Sequence, residues 1–91
     1  MIIDAESLNK FEYLSADVME ECSPTKSIVI GLKNCWGGMY LDVRKWIQFD
    51  NMDSPKPSSK GLMIKPSQWL SMMPKIQAYI EANKDTIDSI K

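Results

Sequence analysis

Between Met39 and Trp46 the side chains alternate in character. Met39, Leu41 and Val43 share one side, and Tyr40, Asp42, Arg44 and Trp46 share the other. A period of two is that of a β-strand, whose successive side chains point to opposite faces. The preceding stretch Lys26–Lys33 (KSIVIGLK) is β-branched and places Ile28, Ile30 and Leu32 on one face, so it reads as a second strand. Between them, Asn34-Cys35-Trp36-Gly37-Gly38 provides glycines that permit positive φ, and the two strands are expected to form a hairpin. One face of that hairpin is aliphatic. The other carries aromatic rings interleaved with basic groups, which on an open sheet suits nucleic-acid bases that stack on rings and phosphates that seek cations. The alternative is that Trp46 closes a small core and Tyr40 merely fills a strand position.

The strand is expected to stay extended through Trp46-Ile47-Gln48-Phe49. Asp50–Ser59, rich in Asn, Asp, Ser and Pro, reads as a loop, and Lys60–Lys65 (KGLMIK) as a last short strand. Pro66 suits the first turn of a helix, where its missing N–H costs nothing. That helix is expected to reach about Ser89. Along it Trp69, Met73, Ile76, Ile80, Asn83, Ile87 and Ile90 draw a narrow heptad seam of the kind that packs against a partner helix. Covering the chain's own sheet is the alternative. Pro74 inside the helix predicts a kink or interruption. Upstream, Leu8, Phe11, Leu14 and Val18 lie at helical spacing behind the possible N-cap Asp4, which predicts a helix ending before Ser23-Pro24. A short strand at Phe11–Leu14, or no fixed structure, is the rival reading.

A chain of 91 residues holds one domain at most and buries a low fraction of its surface, so dimerisation would help it. The net charge of −1 hides an asymmetry: residues 1–25 carry a net −5 and residues 26–75 a net +5. The chain therefore divides into an acidic N-terminal segment (1–25) and a basic sheet-plus-helix domain (26–91), and a basic middle is what an anion-binding surface requires. No apolar run approaches the ~20 residues of a membrane span, and no secretory signal is evident. Cys22 and Cys35 stand alone in no paired motif, which predicts reduced thiols and an intracellular location, cytoplasm or nucleus.

No phosphate loop, activated nucleophile or paired carboxylate in an apolar setting stands out, and histidine is absent. Asp50 and Asp53 lie in a polar loop and read as solvated. No enzymatic activity, metal or other cofactor is expected.

Three short motifs, in order and at matching spacing, resemble the signature of the transcriptional positive cofactor 4 family. They are Asp42-Val43-Arg44-Lys45-Trp46, Lys56-Pro57-Ser58-Ser59-Lys60-Gly61-Leu62 and Pro66-Ser67-Gln68-Trp69. The family shows an Asp-Ile-Arg strand, a Lys-Pro-x-x-Lys-Gly-Ile strand entry and a helix opening with Gln-Trp; the likeness spans roughly Ser27 to Ala82. It implies an α+β fold, a curved antiparallel sheet of about four strands followed by a C-terminal helix, here with an extra N-terminal helical segment. It also implies a homodimer joined largely through the helix, and sequence-independent binding of single-stranded or melted DNA in transcription, replication or repair. Arg44 takes the place of the family's strand arginine, Lys56 and Lys60 of its loop lysines, and Lys33 of a basic position entering the hairpin. Trp36 falls one place from the hairpin aromatic, Trp46 replaces a tyrosine, and Ile47 stands where a stacking tryptophan is usual. The family's Ser-rich basic tail is replaced by the acidic segment.

The expected nucleic-acid-binding set is Lys33, Trp36, Tyr40, Arg44, Lys45, Trp46, Lys56 and Lys60. The expected dimer interface is Trp69, Met73, Ile76, Ile80 and Ile87. Single-stranded DNA and a second copy are the expected partners, with transcription or replication proteins as further candidates; single-stranded RNA or an acidic protein are the alternatives. The acidic segment would either pack its apolar stripe on the domain, the outcome expected because a free helix of this length is marginal in water, or hover over the basic face and compete with nucleic acid.

Overall fold

The computed structural model describes residues 1–90, Ile90 in its backbone only. The chain runs α1 (Ala5–Lys10), β1 (Ser15–Ser23), β2 (Lys26–Cys35), β3 (Gly38–Ile47), β4 (Lys56–Ile64), α2 (Pro66–Ala82) and α3 (Lys84–Ile90). The strands make one antiparallel four-stranded sheet in the order β1-β2-β3-β4, so the fold is α+β with helices after the sheet. The β2–β3 hairpin turns at Trp36 and Gly37, whose φ values of 51° and 74° are both positive. That is the turn whose twist matches the flanking strands.

The N-terminal expectation needs correction. The helix is only the six residues of α1, capped by Asp4, whose side chain accepts from the Ser7 N–H at 2.8 Å. Glu12 then takes a left-handed φ of 62°, the chain reverses, and a strand begins at Ser15. Leu14 and Val18 therefore lie outside the helix, and Phe11–Leu14 is not a strand. The physical reason is the open edge of β2: pairing with it satisfies the backbone of residues 15–23, a reward that local helix propensity cannot match. Ser23-Pro24 ends this strand, not a helix, and starts the tight turn into β2.

Downstream, β3 stops at Ile47, short of Phe49, and β4 starts at Lys56, four residues before Lys60. The β3–β4 register shifts between Arg44 and Trp46. Gly61 makes this crossing possible: a Cβ there would overlap the Arg44 Cβ and lie 2.7 Å from its Cα.

Helix α2 opens at Pro66 as expected, with the Lys65 N–H donating to Gln68 Oε1 at 3.0 Å. It passes through Pro74 without interruption but ends at Ala82, so the single long helix is two. Asn83 causes the break. Its backbone leaves helical geometry, and its side-chain Nδ2 donates to the Tyr79 carbonyl at 2.8 Å, closing the helix end. Ile87 thus sits on α3, and the Ile90 end of the expected seam lies outside the described side chains. Among the described residues no helix is long and apolar enough to cross a membrane.

The core lies on the face that was expected to be open. The register puts Ser27, Val29, Gly31 and Lys33 beside Trp46, Arg44, Asp42 and Tyr40 on one face. Tyr13, Val29 and Trp46 are buried there, under half-buried Met1, Ile3, Leu8, Phe11, Ala16 and Val18. The aliphatic face keeps Ile28, Ile30, Leu32, Leu41 and Val43 only half-buried, and Leu62 exposed. The first thirteen residues decide this. They carry enough apolar surface to close one side of the sheet, whereas α2 is held to β3 through Trp69, whose indole N–H donates to the Leu41 carbonyl at 2.7 Å, and buries no residue of its own.

Candidate nucleic-acid interface

Strand alternation divides the candidate residues between two faces. Lys33, Tyr40, Arg44 and Trp46 share the face covered by α1; Lys45 points to the opposite one, and Lys56 pairs with Ile47 at that face's far end. Lys60 is exposed beside the register shift, and Trp36 crowns the hairpin.

Trp46 is the clearest correction. It is 0 % exposed, packed edge-on against Phe11 (centroids 5.9 Å apart) and tilted against Tyr13 (5.4 Å). With its ring closed off on the face that Phe11 and Tyr13 occupy, it cannot stack on a base in this conformation and acts as the centre of the core. Its indole N–H and the Ser7 hydroxyl are both buried without a hydrogen-bond partner, at a cost of ~1–3 kcal/mol for each such group.

Arg44 is not free to swing either. Its Nε donates to both carboxylate oxygens of Asp42, at 2.9 and 2.7 Å, and its Nη1 donates to the Ser58 carbonyl at 2.8 Å. Asp42 is fully buried and also accepts from the Tyr13 hydroxyl at 2.5 Å. A buried carboxylate needs such partners, because an unpaired one would be prohibitively desolvated. Burial, followed by the bond to Asp42, holds the Tyr13 hydroxyl well above its ordinary 10.0; the same carboxylate raises Arg44 further, keeping it cationic. Gly31 completes the arrangement: a Cβ there would sit 2.6 Å from the Tyr13 ring.

Beside this cluster lies a cleft of about 210 Å³ lined by Phe11, Tyr13, Lys33, Asp42, Arg44, Pro57, Ser58 and Met63. Lys33 Nζ stands 4.6 Å over the Tyr13 ring, within cation–π range. Lys33 pairs across the hairpin with Tyr40, and Tyr40 meets Trp36 edge-on at 5.5 Å. Trp36 is 78 % exposed. The cleft, in which Asp42 compensates Arg44 and Lys33 supplies the further positive charge, therefore lies next to the Tyr40–Trp36 pair at the hairpin tip. The structure brings together Lys33, Tyr40, Trp36 and Arg44 from the expected set, and adds Phe11, Tyr13 and Ser58. Tyr13 lies 29 residues before Asp42, and nothing local links them. The Asp42–Arg44 pair was open to detection, since residues two apart on a strand share a face.

On the other side of the molecule, Met73, Ile76, Ile80 and Ile87 are exposed, together with Leu70 and Tyr79. An open groove along α2 is lined by Leu70, Met73, Pro74, Ile76, Gln77, Ile80 and Glu81. Trp69 differs from its expected partners on the seam, since it is half-buried against the chain's own sheet.

No family model, curated protein or solved structure matches this chain.

Proposed function

We propose that the chain is a non-catalytic binder of single-stranded DNA, acting as a homodimer in transcription, replication or repair, as the resemblance to the transcriptional positive cofactor 4 family implies. One observation carries the reading: the exposed Trp36, edge-on to the half-buried Tyr40, adjoins a cleft whose cations are Lys33 and Arg44. Bases stack on the rings, and the strand's phosphates run along Lys33, Arg44 and the exposed Lys60. Stacking is sequence-tolerant because every base has a π-face. The dimer has its own support. Among the described residues the buried core cluster is only Tyr13, Val29 and Trp46, a small core for such a chain, while the α2 groove and the aliphatic sheet face stay open. A second copy covers both.

The reading is tested by titrating an oligothymidylate against tryptophan fluorescence. Wild type is expected to be quenched on binding, and Trp36→Ala to lose most of the quench and ~1–3 kcal/mol of affinity. Binding that is undiminished in Trp36→Ala would refute stacking at the hairpin tip. Preference for polyglutamate over the oligonucleotide would turn the site toward acidic protein partners, and preference for oligouridylate toward RNA.

A further inference from the structure

We propose that residues 1–12 form a displaceable cover over Trp46, which lifts when a single strand occupies the cleft and so extends the stacking surface inward. This rests on the nucleic-acid reading of the cleft. The cover shields the very face that carries Arg44 and Trp46, yet it is weakly held. The Met1 side chain is buried, but Ile3, Leu8 and Phe11 are only half-buried, and α1 is too short to persist alone. Among the described residues, residues 2–12 make no hydrogen bond to the sheet; the segment is tied at its two ends, by the Met1 ammonium to the exposed Glu21 carboxylate of β1 at 3.0 Å and by Tyr13 to Asp42.

Two further observations place a switch here. Beneath the cover, the Ser7 hydroxyl and the Trp46 indole N–H are buried and unpartnered, so the closed state carries desolvated polar groups that opening would return to water. At its base, Glu12 holds a left-handed φ of 62°, a conformation that costs a non-glycine residue and that opening can relax. Phe11 belongs to both cover and cleft wall, which couples ligand entry to lifting. A site open for only part of the time binds with an apparent affinity reduced by the open fraction, so the cover sets affinity.

Two full-length variants outside the cleft shift the balance in opposite directions. Leu8→Ala removes an apolar contact of the cover and raises the open fraction. Ser7→Ala removes the unpartnered hydroxyl and favours the closed state. Fluorescence anisotropy with an oligothymidylate is expected to show Leu8→Ala binding roughly five- to tenfold tighter than wild type and Ser7→Ala several-fold weaker. Without ligand, the Trp46 indole N–H is expected to exchange with solvent faster than the Val29 amide, and faster still in Leu8→Ala, as local opening requires. Equal affinities across the three proteins, with a lowered melting temperature in Leu8→Ala, would mean that the segment only packs, and would overturn the cover while sparing the cleft. Exchange of the Trp46 N–H only through global unfolding would overturn it too. Absence of oligonucleotide binding in all three would instead sink the nucleic-acid reading and the cover with it.

Discussion

Truncating Trp46 separates its two expected roles. As a stacking residue on an open face it would matter to affinity and little to stability; as the 0 %-exposed centre of the core it matters to stability first. Trp46→Ala removes a ring packed between Phe11 and Tyr13 and leaves a cavity under the N-terminal segment. Large aromatic-to-alanine changes in cores cost ~3–5 kcal/mol. Part of this returns, because the unpartnered indole N–H disappears with the ring, and such a group costs ~1–3 kcal/mol. A net loss of about 2 kcal/mol follows, which for a domain of this size lowers Tm by roughly 8–16 °C. Trp46→Phe keeps most of the ring contact and also removes the N–H, so it is expected to melt within about 5 °C of wild type. Circular dichroism melts of the three proteins at one concentration make the comparison. If Trp46→Ala melts like wild type, Trp46 is not the core and the assignment of the covered face is wrong.

Tyr13 predicts an alkaline limb. Its folded hydroxyl titrates above the 10.0 of the unfolded chain, so its stabilising effect is complete below pH 10 and is lost as pH rises beyond it, by ~1.4 kcal/mol per pH unit until the folded group ionises. Denaturant melts at pH 8 and 11 are expected to show a steeper loss in wild type than in Tyr13→Phe; parallel losses would break the link between Tyr13 and Asp42. Ile80, exposed on the α2 groove, is expected to lie in the dimer interface, where Ile80→Asp would bury an unpaired charge at a cost of several kcal/mol. Sedimentation at micromolar concentration is expected to give a dimer for wild type and a folded monomer for Ile80→Asp, and a monomeric wild type would refute the interface.

The β2–β3 hairpin was legible because its signals are local: a period of two in Met39–Trp46 and glycines where the turn needs positive φ. The start of α2 was legible for the same reason, at Pro66. The covered face was not, since alternation shows that a strand has two faces and leaves open which one the rest of the chain will close. That choice rests on Phe11 and Tyr13 folding back across the sheet, a contact between segments far apart in sequence. The apparent helical stripe misled in an instructive way. Leu8 and Phe11 lie on or beside α1 and Val18 on β1, yet all three reach the same core, so their spacing mimicked one helix. The burial of Asp42 was not legible, because its second partner, Tyr13, is remote in sequence. Of the candidate interface, Lys33, Trp36, Tyr40 and Arg44 were readable as basic and aromatic residues around one hairpin. The opposed orientation of Lys45 follows from the alternation itself, whereas the burial of Trp46 depends on the N-terminal cover.

The most direct measurement is fluorescence anisotropy of a labelled oligothymidylate and of a blunt duplex of equal length, each titrated with the full-length protein across a range of salt. With phosphates held by Lys33, Arg44 and Lys60, the single strand is expected to bind tighter than the duplex, and log K to fall against log salt with a slope of about −2. Equal affinity for the two, or binding to the single strand that ignores salt, would contradict the account.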